Sequence, residues 1–195
     1  MVFLTAGKHD FEIEQGATFK STVVWTDDLK EVSSITRAST TATVTVVNHG
    51  LSVGNYVLIL GADDSDYNGV FQVASSADDD TFTYTLTGAP ATPATSTTSG
   101  QIKMGKCKSL AGYSANMDIR EKIEDSSALE TLSTTGGEIV ITTAQGKLVM
   151  TLTTAQTGAL DFNRGVYDLE LVSGVGVVTR LIQGEVDFKK EVTRS

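Results

Sequence analysis

Cysteine, proline and histidine are scarce in this 195-residue chain, with one, two and two copies, and aromatic residues make up 7%. The lone Cys107 excludes an internal disulfide, and it excludes a thiolate metal cluster within one chain. Basic residues are also short: 15 Lys and Arg stand against 24 Asp and Glu, a formal charge of -9. A surface of that sign repels phosphate backbones and anionic membranes within a Debye length, so neither nucleic acid nor a membrane is an expected partner. No run reaches the ~18 apolar residues of a membrane span, and Met1 to Lys8 lacks the basic start and long apolar core of a signal peptide.

The motifs of common enzyme chemistry are missing as well. There is no Gly-x-Ser-x-Gly elbow, no Gly-Lys-Ser/Thr phosphate loop and no His-Glu-x-x-His pair. An enzyme is therefore not expected, and no catalytic, cofactor-binding or metal-ligating residue is assigned.

What is present is ordinary globular material, 40% apolar and 20% charged, enough for a chain of this length to hide about 70% of its unfolded surface. Charge is unevenly placed. Residues 33–102 hold Arg37 as their only base against six aspartates, whereas 103–195 hold eleven bases and twelve acids. The shift predicts two domains: a discontinuous one made of 1–32 and 103–195, and an inserted module over 33–102 that carries both prolines, Pro90 and Pro93.

Strand periodicity runs through both parts. In the module, Thr41–Val47, Tyr56–Leu60, Phe71–Val73 and Thr81–Leu86 alternate or form compact apolar runs, separated by Asn48-His49-Gly50, Asn68-Gly69 and Asp78-Asp79-Asp80 turns. Ala89 to Ser99 reads as a flexible loop. Outside it, Phe11 and Ile13 alternate with Glu12 and Glu14, and Thr18 to Trp25 points Phe19, Val23 and Trp25 inward. Tyr113, Ala115, Met117 and Ile119 share one face of a strand and Ser114, Asn116, Asp118 and Arg120 its wet face. Glu138–Thr142 and Lys147–Leu152 are joined at Gln145-Gly146, and Gly165–Val172 pairs with Val177–Phe188 around Gly174-Val175-Gly176. Thr153 with Gln156 has capping-box spacing, which predicts one helix of about two turns. The fold class expected is all-β: a Greek-key, immunoglobulin-like sandwich interrupted by a small β-barrel.

Several residues carry possible chemistry. Asp64, Asp66, Asn68 and Gly69 match the first half of a calcium-binding EF-hand loop, but Ser75 stands at the twelfth position and the flanks are strand-like, which favours a hairpin turn centred on Asn68-Gly69. His9 and His49 lie in different segments, and the His49 ring suits a backbone bond in its turn. Glu12 with Glu14, and Glu185 with Asp187, fit solvated strand faces better than a glycosidase pair. Trp25, Tyr67, Tyr84, Tyr113 and Tyr167 could stack on sugars, though Trp25, Tyr113 and Tyr167 sit in the apolar phase of their strands. Cys107, between Lys106 and Lys108, has no evident base partner and reads as inert.

The segments Phe11–Phe19, Leu110–Arg120, Tyr167–Leu171 and Arg180–Val186 together resemble a β-sandwich of tailed-phage virion proteins, a family that includes baseplate upper-protein amino-terminal domains and small tail or neck adaptors. Within the module, Asn48–Val57, Tyr67–Phe71 and Thr81–Tyr84 resemble a small barrel found in phage tail proteins and similar to the first catalytic-cysteine half-domain of ubiquitin-activating enzymes; only the fold is implied. The resemblance implies a virion structural protein in symmetric copies, made in the bacterial cytoplasm, whose partners are other virion proteins: a tail or neck ring and a fibre or spike. It brings no active-site residues and no cofactor. A host-glycan or partner-binding role for the module and a head decoration role stand as alternatives, and Met1–Lys8 and Lys189–Ser195 are expected tethers.

Overall fold

Alternation of apolar and polar side chains turns into strands almost everywhere it occurs in this chain. The computed structural model describes residues 7–97 and 101–192, so most of the first expected tether, the end of the second and the far end of the 89–99 loop lie outside the described residues. The first strands are β1 (Gly7–Lys8), β2 (Phe11–Glu14) and β3 (Phe19–Val24). Next come β4 (Lys30–Glu31), β5 (Ser34–Ala38), β6 (Thr41–Thr45), β7 (Tyr56–Leu60), β8 (Gly69–Ser76), β9 (Thr81–Thr85) and β10 (Lys103–Lys106). The chain continues with β11 (Ser114–Arg120), β12 (Glu130–Ser133), β13 (Ile139–Thr142), β14 (Lys147–Leu152), α1 (Thr154–Ala159), β15 (Arg164–Val172) and β16 (Val178–Lys189). No helix among the described residues is long and apolar enough to cross a membrane.

The chain divides into two compact units, one made of Met1–Trp25, Leu110–Thr143 and Lys147–Ser195, the other of Thr26–Ser109 with Ala144–Gly146. The second unit extends past the expected 33–102 module at both ends. Pairing is the reason: β4 lies antiparallel to β10, Thr26 bridges Cys107, and the Asp27 N–H bonds the Lys106 carbonyl. Charge composition changes near Ser33, but the hydrogen-bond ladder begins earlier.

The first unit is a β-sandwich. Its larger sheet has the order β1-β16-β15-β11-β12, with β2 also on β16, and its smaller sheet the order β13-β14-β3. Ala115, Met117 and Ile119 of β11 and Tyr167, Leu169 and Leu171 of β15 share one core with Val23 of β3 and Leu148, Met150 and Leu152 of β14. Each such aliphatic side chain contributes ~1.5–3 kcal/mol on burial. After the excursion through β12, β13 and β14, β15 returns beside β11, a crossover of the Greek-key kind. Thr153 caps α1 as its spacing predicts: its hydroxyl accepts the Gln156 N–H and the Gln156 side chain accepts the Thr153 N–H.

β1 and β2 run parallel to β16 in two stretches. Gly184 makes the join between them possible, because a Cβ there would stand 1.9 Å from the His9 carbonyl oxygen. The Tyr167 hydroxyl donates to that same carbonyl, and the His9 N–H reaches the Gln183 carbonyl. Gly7, Lys8 and Lys189, expected in tethers, are thus strand residues.

The second unit is a closed barrel. Its sheet runs β4-β10-β7-β8-β9-β6-β5, and its two end strands are consecutive in the chain, separated only by Val32 and Ser33. The Val32 N–H bonds the Ile102 carbonyl on one side and the Ser33 N–H the Thr45 carbonyl on the other, so one segment closes the sheet on itself. Ile35, Val44, Val57, Ile59, Phe82 and Tyr84 fill the interior.

Two expectations for this unit are corrected. Asn68-Gly69 is not a two-residue hairpin turn. Asn68 spends its side-chain amide on the Ala62 N–H and carbonyl, a 3-10 turn occupies Ser65–Tyr67, and Gly69 already belongs to β8. Ala89–Thr97, expected to be flexible, is instead a strap fastened across β5. The Arg37 guanidinium donates to the Ala89, Pro90 and Ser39 carbonyls, the Thr92 hydroxyl accepts the Arg37 N–H, and the Ala94 N–H bonds the Ile35 carbonyl. Tyr67 Oη reaches the Ala91 carbonyl at 2.8 Å, and Asp63 Oδ1 accepts the Thr97 N–H at 2.8 Å.

Candidate functional site

None of the residue types weighed for chemistry gathers into a reaction centre. Asp64 caps the 3-10 turn by accepting the Asp66 N–H, and with Asn68 bonded inward the calcium-loop pattern is spent on the fold. No cluster of three or more His, Cys, Asp or Glu with metal-holding geometry occurs among the described residues. His49 Nδ1 accepts the Leu51 N–H at 2.9 Å, and its ring stands edge-on to Phe82. Burial pushes the Cys107 thiol up to about 12, which keeps it protonated and unreactive. Tyr67 and Tyr84 are fully buried in the barrel, and Tyr167 stacks on Phe11 inside the sandwich. Trp25 meets Tyr113 edge-to-face against the same core. No aromatic platform for a sugar forms from these residues.

The charged residues of the sandwich's larger sheet do come together. Its outer face carries a groove of about 540 Å³ lined by residues of β1, β11, β15 and β16. Strand register places its side chains in rows. One continuous row crosses five strands: Thr131 opposite Asp118, Asp118 opposite Asp168, Asp168 opposite Gln183, and Gln183 opposite Lys8. A second row runs Ser133, Asn116, Glu170, Arg180, and a third Arg120, Val166, Glu185.

A β-bulge sets this pattern. Leu169 pairs with Ile182 but Glu170 pairs with Arg180, so Leu181 is the extra residue, and Leu181 and Ile182 are both buried. Without it, strict alternation would turn Arg180 away from the face where Gln183 and Glu185 stand. With it, Arg180 Nε lies 3.0 Å from Asp168 and Nη2 3.5 Å from Glu170. On the neighbouring strand Arg120 Nη2 lies 2.7 Å from Asp118, whose other oxygen accepts the Thr131 hydroxyl at 2.8 Å. Asp118, Arg120 and Glu185 were legible as wet-face residues. Lys8, Asp168, Glu170, Arg180 and Gln183 were missed, although the paired apolar residues Leu181-Ile182 inside an alternating strand signal the bulge.

A second feature is apolar. The β15–β16 turn holds Val175, Val177 and Val178 at 88%, 59% and 55% exposure, and it is rigidly built: Ser173 bonds Val177 through its N–H and its hydroxyl, and its carbonyl accepts the Gly176 N–H. Strand edges also stay open in this unit, since among the described residues β12 pairs only with β11, and β13 and β3 only with β14.

No family model matches the sequence, and no curated protein matches it. Among solved structures it is similar to the phage phi92 endosialidase, at 15% identity and a TM-score of 0.32, over 91% of this chain and 32% of that one. The chain thus spans about a third of that protein's length, and a likeness so loose carries no argument about what this chain does. None of these comparisons supports the barrel's resemblance to the ubiquitin-activating half-domain.

Proposed function

We propose that this chain is a structural protein of a tailed-phage virion, present in symmetric copies and linking a tail, neck or baseplate ring to a fibre or spike, with no catalytic role. One observation carries the reading: among the described residues the unpaired strand edges and the turn with three exposed valines lie on the sandwich, whereas the barrel's sheet closes on itself, although Leu29, Val47 and Val53 of its unit are also exposed. The β12, β13 and β3 edges offer unpaired backbone for strand addition, and the valine-tipped hairpin offers a rigid apolar plug. The sandwich therefore takes the docking role and the acidic barrel is the presented part. The segment resemblance to virion sandwich proteins supports the same reading.

The test is to locate the chain in a cryo-electron-microscopy map of the intact particle. Density in a ring on the tail or neck, in contact with a fibre through the sandwich, is expected. Density spread over the capsid overturns the reading in favour of head decoration, and a ring contacted through the barrel overturns the assignment of roles.

A further inference from the structure

The outer groove of the sandwich has features that stability does not explain. Exposed ion pairs contribute only ~0–1 kcal/mol, and like charges placed directly opposite on adjacent strands are unfavourable. Yet Asp118 and Asp168 face each other across β11 and β15, and a bulge is built into β16 whose effect is to bring Arg180 beside them. In the same groove the Lys8 ammonium and the Glu185 carboxylate make no side-chain hydrogen bond or ion pair with any described residue.

The geometry points to a binding site for a neutral, linear oligosaccharide lying across the strands along the row Thr131, Asp118, Asp168, Gln183, Lys8. Three lines of chemistry select that ligand. The lining holds three cations, Lys8, Arg120 and Arg180, against the four carboxylates Asp118, Asp168, Glu170 and Glu185, so donors and acceptors are nearly balanced and neither a polyanion nor a polycation is favoured. A sugar hydroxyl both donates and accepts, which suits a row that passes from a hydroxyl and two carboxylates to an amide and an ammonium. Neighbouring strands lie ~4.8 Å apart, close to the length of one pyranose ring, so a chain running across the sheet meets one row residue per ring. Val166 and the 83%-exposed Ile123 supply apolar contact for the C–H faces of the rings. The volume is in the range of small-ligand sites, roughly 300–1,000 Å³. The site shares β12 with the docking edges through Thr131 but uses the outer face of the sheet rather than its edge, and its ligand is independent of the adaptor reading.

The full chain is applied to an array of neutral linear glycans, and the strongest binder is then titrated calorimetrically as a series of increasing length. Affinity is expected to rise ring by ring up to about five rings and then level off, matching five strands at the ~4.8 Å spacing. Lys8→Ala combined with Gln183→Ala is expected to weaken binding about tenfold with an unchanged melting temperature, because both side chains stand on the exposed face. Silence across the array, preference for an acidic glycan, affinity independent of length, or a double variant that binds like the parent overturns the site.

Discussion

The two units of this chain manage strand edges in opposite ways. In the barrel, one segment from Lys30 to Ala38 serves as both the first and the last strand of the sheet, and the strap then covers the remaining side of β5 through Thr92 and Ala94. In the sandwich, two sheets share a core but leave β12, β13 and β3 paired on one side only among the described residues. Closure abolishes edges, and an open sandwich preserves them as places to pair. One all-β chain thus contains a self-sufficient unit and a unit with backbone left to share.

The largest expected effects come from glycines that each unit depends on. Gly184→Ala places a methyl 1.9 Å from the His9 carbonyl and should push β1 and β2 off β16, costing the sandwich about 3 kcal/mol in chemical denaturation. Fluorescence of Trp25, the chain's one tryptophan, reports that loss, because its ring packs against the sandwich core. Gly61→Ala should harm the barrel instead. Its φ of +87° and a Cβ 2.1 Å from the Gln101 carbonyl forbid a side chain. Its effect should leave the Trp25 transition in place, and a shift of that transition as large as the one from Gly184→Ala would break the comparison.

Smaller changes sharpen it. Arg37→Ala removes the clamp on the strap and should cost about 1–2 kcal/mol, read locally as faster hydrogen exchange at Ala94 and Thr97. Thr153→Ala takes the cap from α1 and should cost the sandwich ~1 kcal/mol.

The smallest effects are pH responses of opposite sign. Asp63 is held below the ordinary carboxylate range, first by the Thr97 N–H, so the strap bond is complete at neutral pH and is lost as pH falls through that lowered value. Glu130 in β12 is raised, first by burial and then by Glu138, so the stability it lends in acid is lost as pH rises through its raised value. Glu130→Gln should therefore raise stability slightly at neutral pH, and Asp63→Asn should remove the acid response of Thr97 exchange.

Period-two alternation made β2 and β11 legible, a compact apolar run marked β7, the Gly174-Val175-Gly176 turn marked the β15–β16 hairpin, and the Thr153–Gln156 spacing located α1. Those signals are local. What escaped depends on distant partners: β4 has two residues whose strand state exists only because Lys103 and Met104 lie opposite. β12 sits in a Ser- and Thr-rich stretch where only Leu132 is buried, so no alternation stands out. The strap reads as a loop by composition, and only the isolated Arg37 in an acidic module hints at what fastens it. Groove residues on β11 were visible as a polar face, but the row that joins them to Lys8 follows from register, and the placement of Arg180 follows from a single inserted residue.

The most direct test of the contrast between the units is hydrogen–deuterium exchange on the chain free in solution and assembled in purified virions. Protection gained along β12, β13 or β3 and at Val175–Val178, with the barrel strands unchanged, is the expected result. Protection gained on the barrel strands while the sandwich edges and the valine tip exchange as before would contradict it.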